Sequence, residues 1–148
     1  MKPMRIMLAL AAASALAVPA LAADDEAPKY ENGPVWNFTE VKTVDGHFDD
    51  YMHWVATDWK AQEEALKKAG RILDYKVYLV SDPRKDEPDL ILADEFKNFA
   101  EFDRSVADQF AFGKQLFGSV TKANKEQADR SSIRTIQGNV TMRELELK

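Results

Sequence analysis

Two short stretches limit the folds open to this chain. In ILDYKVYLVS, residues 72–81, Tyr75, Val77 and Leu79 fall on one side of an extended strand and Tyr78 and Val80 on the other; in DLILADEF, residues 89–96, Leu90 and Leu92 oppose Ile91 and Ala93. Side chains alternate across a strand, so strands that are apolar on both sides need cover on both sides. A sheet with helices on one face supplies a single cover. The second cover must come from elsewhere, and for a short chain the economical source is another copy of itself. Between the two stretches DPRKDEP carries two prolines and five charges. It reads as a surface loop, which makes the strands a hairpin.

The flanking segments complete an alternation of elements. VWNFTEVKTV, residues 35–44, is rich in β-branched and aromatic side chains and reads as the first strand. Asp45 and Gly46 end it, with Asp45 placed to cap a helix. From His47 to Ala69 the residues Phe48, Met52, Val55, Trp59 and Leu66 recur at helical spacing, and Gly70 closes the run. KNFAEFDRSVADQFAFGKQLFG, residues 97–118, predicts short helices broken near Gly113 and Gly118, followed by a polar connection to about Ser132. NVTMRELEL, residues 139–147, alternates as a last strand whose apolar phase slips between Met142 and Leu145, the mark of a bulge. The order is strand, helix, strand, strand, helices, strand, an α+β domain with an antiparallel sheet.

Ahead of the domain, Lys2 and Arg5 precede an uncharged run from Ile6 to Ala23 with a small-x-small site at Ala20 to Ala22. This is the layout of a signal peptide, residues 1–22, cleaved after Ala22. ADDEAPKYENGP, residues 23–34, then reads as a flexible leader, and residues 35–148 as the domain. The expected location is the periplasm or the exterior. With no cysteine there is no disulfide, thiolate nucleophile or cysteine metal site. Losing Lys2 and Arg5 takes the 20 lysines and arginines to 18 against 25 acids, a net charge near −7 that repels phosphate backbones. Nucleic acid is therefore not an expected partner, and nothing after the leader is long and apolar enough to span a bilayer.

Strand one WNFTEVKTV, the turn DGHFDDY into the long helix, AGRILDYKVYLV and ADEFKNFAEFD together resemble the dimeric α/β barrel superfamily, and more narrowly its small exported bacterial members. The resemblance spans roughly residues 35–147. It implies a ferredoxin-like βαββαβ sandwich with helices on one face, a homodimer formed through the sheet, and an internal pocket. The superfamily includes cofactor-free monooxygenases, haem-degrading enzymes, dehydratases and binding proteins. The haem-degrading branch uses an Asn, a Trp and a His; Asn37, Trp54 and His53 are the matching types, without the spacing motif.

GHFDDYMHWVATDWK, residues 46–60, holds both histidines and two tryptophans. At 100° per residue His47 and His53 do not share a face, which excludes an intrahelical histidine pair for a metal, and His53 falls opposite the apolar stripe. Asp49 and His53, four apart, read as a solvated ion pair, an acid-base pair or two metal ligands, which alone do not close a metal site. Tyr51 and Asp58 flank the stripe, where a helix borders a cavity and a carboxylate beside rings is driven toward catalytic use. His53 and Asp58 are the candidate catalytic residues. Tyr51, Trp59, Trp36, Phe99 and Phe102 are the candidate walls of a ligand pocket. In KAQEEALKK, residues 60–68, Glu63 with Lys67 and Glu64 with Lys68 read as a solvated helix face. No metal or other cofactor is implied. A carrier of a small hydrophobic or aromatic molecule, a cofactor-independent monooxygenase-like enzyme, and a structural protein partnered only by itself all fit this residue set.

Overall fold

The computed structural model describes residues 27–148, so the expected signal peptide and the first residues of the leader lie outside the described residues. The chain forms β1 (Tyr30–Thr43), α1 (Phe48–Trp54), a π-helical turn (Val55–Trp59) and α2 (Lys60–Lys68), which run on as one rod. β2 (Asp74–Leu79) and β3 (Leu90–Phe96) follow, then a 3-10 turn (Phe99–Asp103), α3 (Val106–Phe117), α4 (Val120–Asp129), a 3-10 turn (Arg130–Ser132) and β4 (Arg134–Leu147). The four strands make one antiparallel sheet in the order β2, β3, β1, β4. This α+β arrangement fits the ferredoxin-like order expected from the sequence.

The sheet extends beyond the expected strands. β1 begins at Tyr30, so the last residues of the expected leader belong to the sheet: Tyr30, Glu31 and Asn32 pair with Leu147, Glu146 and Leu145. The register slips between Asn32 and Val35, opposite residues 143–145, which is where the apolar phase of the last strand breaks. The extra residue sits on β1, beside Gly33 and Pro34. A proline cannot donate to the ladder and is at home in such an irregularity.

Paired residues share a face, and the register sorts the sheet cleanly. Val35, Val41, Leu90 and Leu92 face the helices and are buried with Tyr51, Val55 and Trp59 from the rod. The outer face carries Trp36, Phe38, Ile91, Tyr78, Val140 and Met142, together with the charged Glu40, Lys76 and Glu95. Trp36 and Phe38 stack with ring centroids 6.1 Å apart, and the Lys76 Nζ sits 4.7 Å from the Trp36 ring. Met142 is half exposed.

The rod departs from the helix read in the sequence. Its buried row is Tyr51, Val55, Trp59 and Glu63, at a constant spacing of four. In a regular α-helix that row would drift by about 40° per step. The π turn absorbs the drift: the Lys60 N–H reaches Val55 O, five residues back, while the Thr57 hydroxyl donates to His53 O at 2.8 Å. Beyond the turn Glu63, assigned to a solvated face, is 5 % exposed; ahead of it Phe48, assigned to the stripe, is over a third exposed.

Four further expectations are corrected. Asp45 does not cap α1; His47 precedes the helix without a side-chain cap, and its Nδ1 lies 2.8 Å from Asp50 Oδ2, so the side-chain contact at the helix start is His47 with Asp50 and not Asp49 with His53. Gly113 does not break α3, which ends at Gly118 with φ +78°, a left-handed stop favoured by glycine. The polar connection is largely the helix α4, started by Ser119, whose hydroxyl accepts from the Lys122 N–H at 3.0 Å. α4 buries no residue fully, so it lacks the apolar period by which helices are recognised. No helix among the described residues is long and apolar enough to cross a membrane.

Candidate functional site

The helices do not close fully on the sheet. Between them lies a cleft of about 390 Å³, within the range of small-molecule sites. Its floor is the inner sheet face, where Thr39 Oγ1 donates to Asn139 Oδ1 at 2.7 Å and Leu92, Asp94 and Ile136 also face the space. One wall is the rod, with Tyr51, Trp54, Trp59, Gln62 and Glu63. The other is the end of α3 and α4, with Phe117, Ala123, Asn124, Gln127 and Arg130. The aromatic groups are held in place: Tyr51 and Trp54 stack at 5.4 Å, and Trp59 meets Tyr75 edge-on at 5.4 Å.

The polar groups of the cleft are unusual for their burial. Glu63 and Asp94 approach within hydrogen-bonding reach of each other, one from α2 and one from β3. Burial drives both carboxyls above their ordinary range, and for Glu63 the neighbouring Asp94 adds to the shift. No protein donor reaches Glu63 Oε2 or Asp94 Oδ1. Two enclosed carboxylates without a cation cannot both ionise cheaply, so the pair holds one proton and has the form of a general acid-base group. Toward the far end of β4 are Arg130 and Arg134. Arg134 is 8 % exposed, and its guanidinium lies within reach of the Tyr51 hydroxyl. Arg130 stacks over Trp54, its Cζ 4.1 Å from the ring centroid. Burial, and then the charge of Arg134, pushes Arg130 below its ordinary value.

The sequence-derived candidates scatter across the molecule. Tyr51 and Trp59 line the cleft. Asp58 is exposed on the side of the rod that faces α4, beside Trp54, Glu126 and Arg130 at the rim of the cleft, where Thr57 Oγ1 donates to its carboxylate at 3.1 Å, and His53 is exposed on α1. Trp36 is on the outer sheet face, where its Nε1–H donates to Glu144 Oε2 at 3.3 Å. Phe99 and Phe102 sit with Phe96 at the other end of the helical layer, Phe99 beneath Arg143. Glu63, Asp94, Arg130 and Arg134 escaped the sequence reading. One signal was present for Asp94, which shares a period-two face with Leu90 and Leu92 inside an apolar strand. Among the described residues no group of three or more His, Cys, Asp or Glu is arranged to hold a metal ion.

No family model and no curated protein matches this chain. Among solved structures, the crystal structure of HapK from Hahella chejuensis is similar over 73% of this chain and 90% of its own, at 15% sequence identity and a TM-score of 0.49.

Proposed function

We infer that this protein binds a small hydrophobic or aromatic molecule in the cleft between sheet and helices, and that it works as a homodimer joined through the outer sheet face. The observation that carries the first part is the cleft itself, with three ordered rings along one wall and its polar groups concentrated at particular points. Replacing the partly buried Trp54 by Ala should weaken binding of the neutral probe N-phenyl-1-naphthylamine by about tenfold, the worth of one aromatic contact. Fluorescence titration reads the effect; equal affinity for wild type and variant would remove the cleft as the binding place.

The dimer is supported by the cluster of Trp36, Phe38, Ile91, Val140 and Met142 on the outer face, rimmed by Glu40, Lys76 and Glu95, since apolar side chains gathered inside a charged rim mark an interaction surface. Met142→Lys places a charge at an already half-exposed position and should leave the fold intact. It is expected to weaken self-association by about a hundredfold, the cost of burying an unpaired ammonium. Sedimentation equilibrium measures this, and a wild-type monomer would end the proposal.

A second reading, catalysis without a cofactor, is favoured by one observation. The Glu63 and Asp94 pair opens on the same cleft as the rings, with one proton to give or take. An aromatic substrate activated by proton removal would be served from there, in place of His53 or Asp58.

A further inference from the structure

Arg130 and Arg134 are two neighbouring cations facing one cavity, and among the described residues neither has a carboxylate within ion-pair distance. Their Nε atoms are both enclosed without a hydrogen-bond partner. Arg134 is more than nine-tenths buried. Two other part-buried arginines are paired with carboxylates: Arg71 binds Asp108 at 2.9 Å and Arg104 binds Glu101, while Arg143 lies over the Phe99 ring. A buried guanidinium is stable when a planar anion satisfies its fork of donors, and nothing in the protein does so here. At the other end of the cleft the situation is inverted, since Glu63 Oε2 and Asp94 Oδ1 are enclosed acceptors in want of a donor.

We propose that the cleft recognises an elongated aromatic acid, whose carboxylate is taken by Arg130 and Arg134, whose ring lies along Trp54 and Trp59, and whose far end donates a hydrogen bond to the Glu63 and Asp94 pair. This rests on the reading of the cleft as a ligand site and names the class of its ligand. The register fixes the scale. Asp94 stands opposite Asn37 and Arg134 opposite Thr43, six residues along β1. That is roughly 20 Å between backbones, shortened by the reach of an arginine and a carboxyl side chain, which leaves room for one ring with a short arm at each end. The opposed charges also set the orientation. An acid entering the wrong way round would meet the carboxyl pair with its own anion and leave both guanidiniums unanswered.

The test uses three probes of one shape, read by quenching of tryptophan fluorescence. These are 4-hydroxycinnamate, with both polar ends; cinnamate, without the donor; and 4-hydroxycinnamamide, without the charge. The doubly equipped acid should bind at least tenfold more tightly than either of the others, since each lost partner leaves a buried group unsatisfied. Arg130→Gln should remove the preference for acid over amide while keeping the preference for the hydroxyl. Glu63→Leu should do the reverse. Equal binding of all three probes would overturn the aromatic-acid assignment, yet N-phenyl-1-naphthylamine would still bind and the cleft reading would stand. If that neutral probe also fails, the cleft reading fails with it. Should Arg130→Gln disturb the fold, Arg130→Lys, which keeps the charge and loses the fork, serves in its place and should cost the acid most of its advantage.

Discussion

Substituting Glu63 by Gln is expected to raise the stability of the fold at pH 8 by about 3 kcal/mol and to change it little at pH 5. The folded state pushes Glu63 from its ordinary value of 4.5 up to about 8, first through burial and then through Asp94, and pushes Asp94 from 3.8 up to about 6. No basic side chain contributes to either shift. The sign follows from proton counting. Between these values the folded chain holds a proton that the unfolded chain releases, so the associated stability is fully present below about pH 4 and is lost as pH rises through 6 and 8. Gln resembles the protonated acid in shape, and its amide can donate to Asp94. It therefore keeps the low-pH arrangement at every pH. Urea unfolding at the two pH values measures the difference, and a wild-type stability that stays level or climbs over this interval would show that the pair is not enclosed as described. The costly arrangement is itself informative, because a chain free to place Gln at position 63 would gain stability by doing so, and groups kept at such a cost are characteristic of functional sites.

That same pair shows where a sequence can and cannot be read. The sheet was legible because DYKVYL and LILADEF are short runs apolar on both sides and bounded by turn residues, and because the phase slip near Arg143 reported a real irregularity with its partner strand. Tyr51 and Trp59 were legible as inward-facing because Trp59 lies on the apolar stripe and Tyr51 on its flank, close enough for both to meet the sheet whatever the detail of the winding. Glu63 was not. A wheel drawn at 100° per residue assumes an unbroken α-helix, and the π turn at Val55–Trp59 rotates everything beyond it, carrying Glu63 inward and leaving Lys67 to pair with Asp74 at 2.8 Å and Glu64 with the Tyr75 hydroxyl at 2.6 Å. Arg130 and Arg134 were illegible for another reason. They follow α4, a helix with no buried row to declare it, and only the return of β4 beside β1 brings them against the rod.

Replacing Tyr51 by Ala should destabilise the protein by about 4 kcal/mol, a sizeable share of the stability of a domain this size. Tyr51 is 1 % exposed, heads the largest fully buried side chains, and packs with Val41, Val55, Trp59, Leu90 and Leu92 while stacking on Trp54. Its removal leaves a ring-sized void between rod and sheet and withdraws the support of one cleft wall. Tyr51→Phe separates the two roles. It keeps the packing and deletes the hydroxyl that faces Arg134, at an expected cost of about 1 to 2 kcal/mol for a buried donor left short of an acceptor. Urea unfolding of both variants at one protein concentration resolves the terms, since self-association would otherwise shift the apparent stability. If Phe cost as much as Ala, the energy would reside in the Arg134 contact and not in the core. If Ala cost less than about 1 kcal/mol, the rod would not be anchored through Tyr51 at all. The Phe variant also bears on recognition. With its last protein acceptor gone, Arg134 turns wholly to the ligand, so a carboxylate that binds there should be held at least as tightly as before even though the empty protein is weaker.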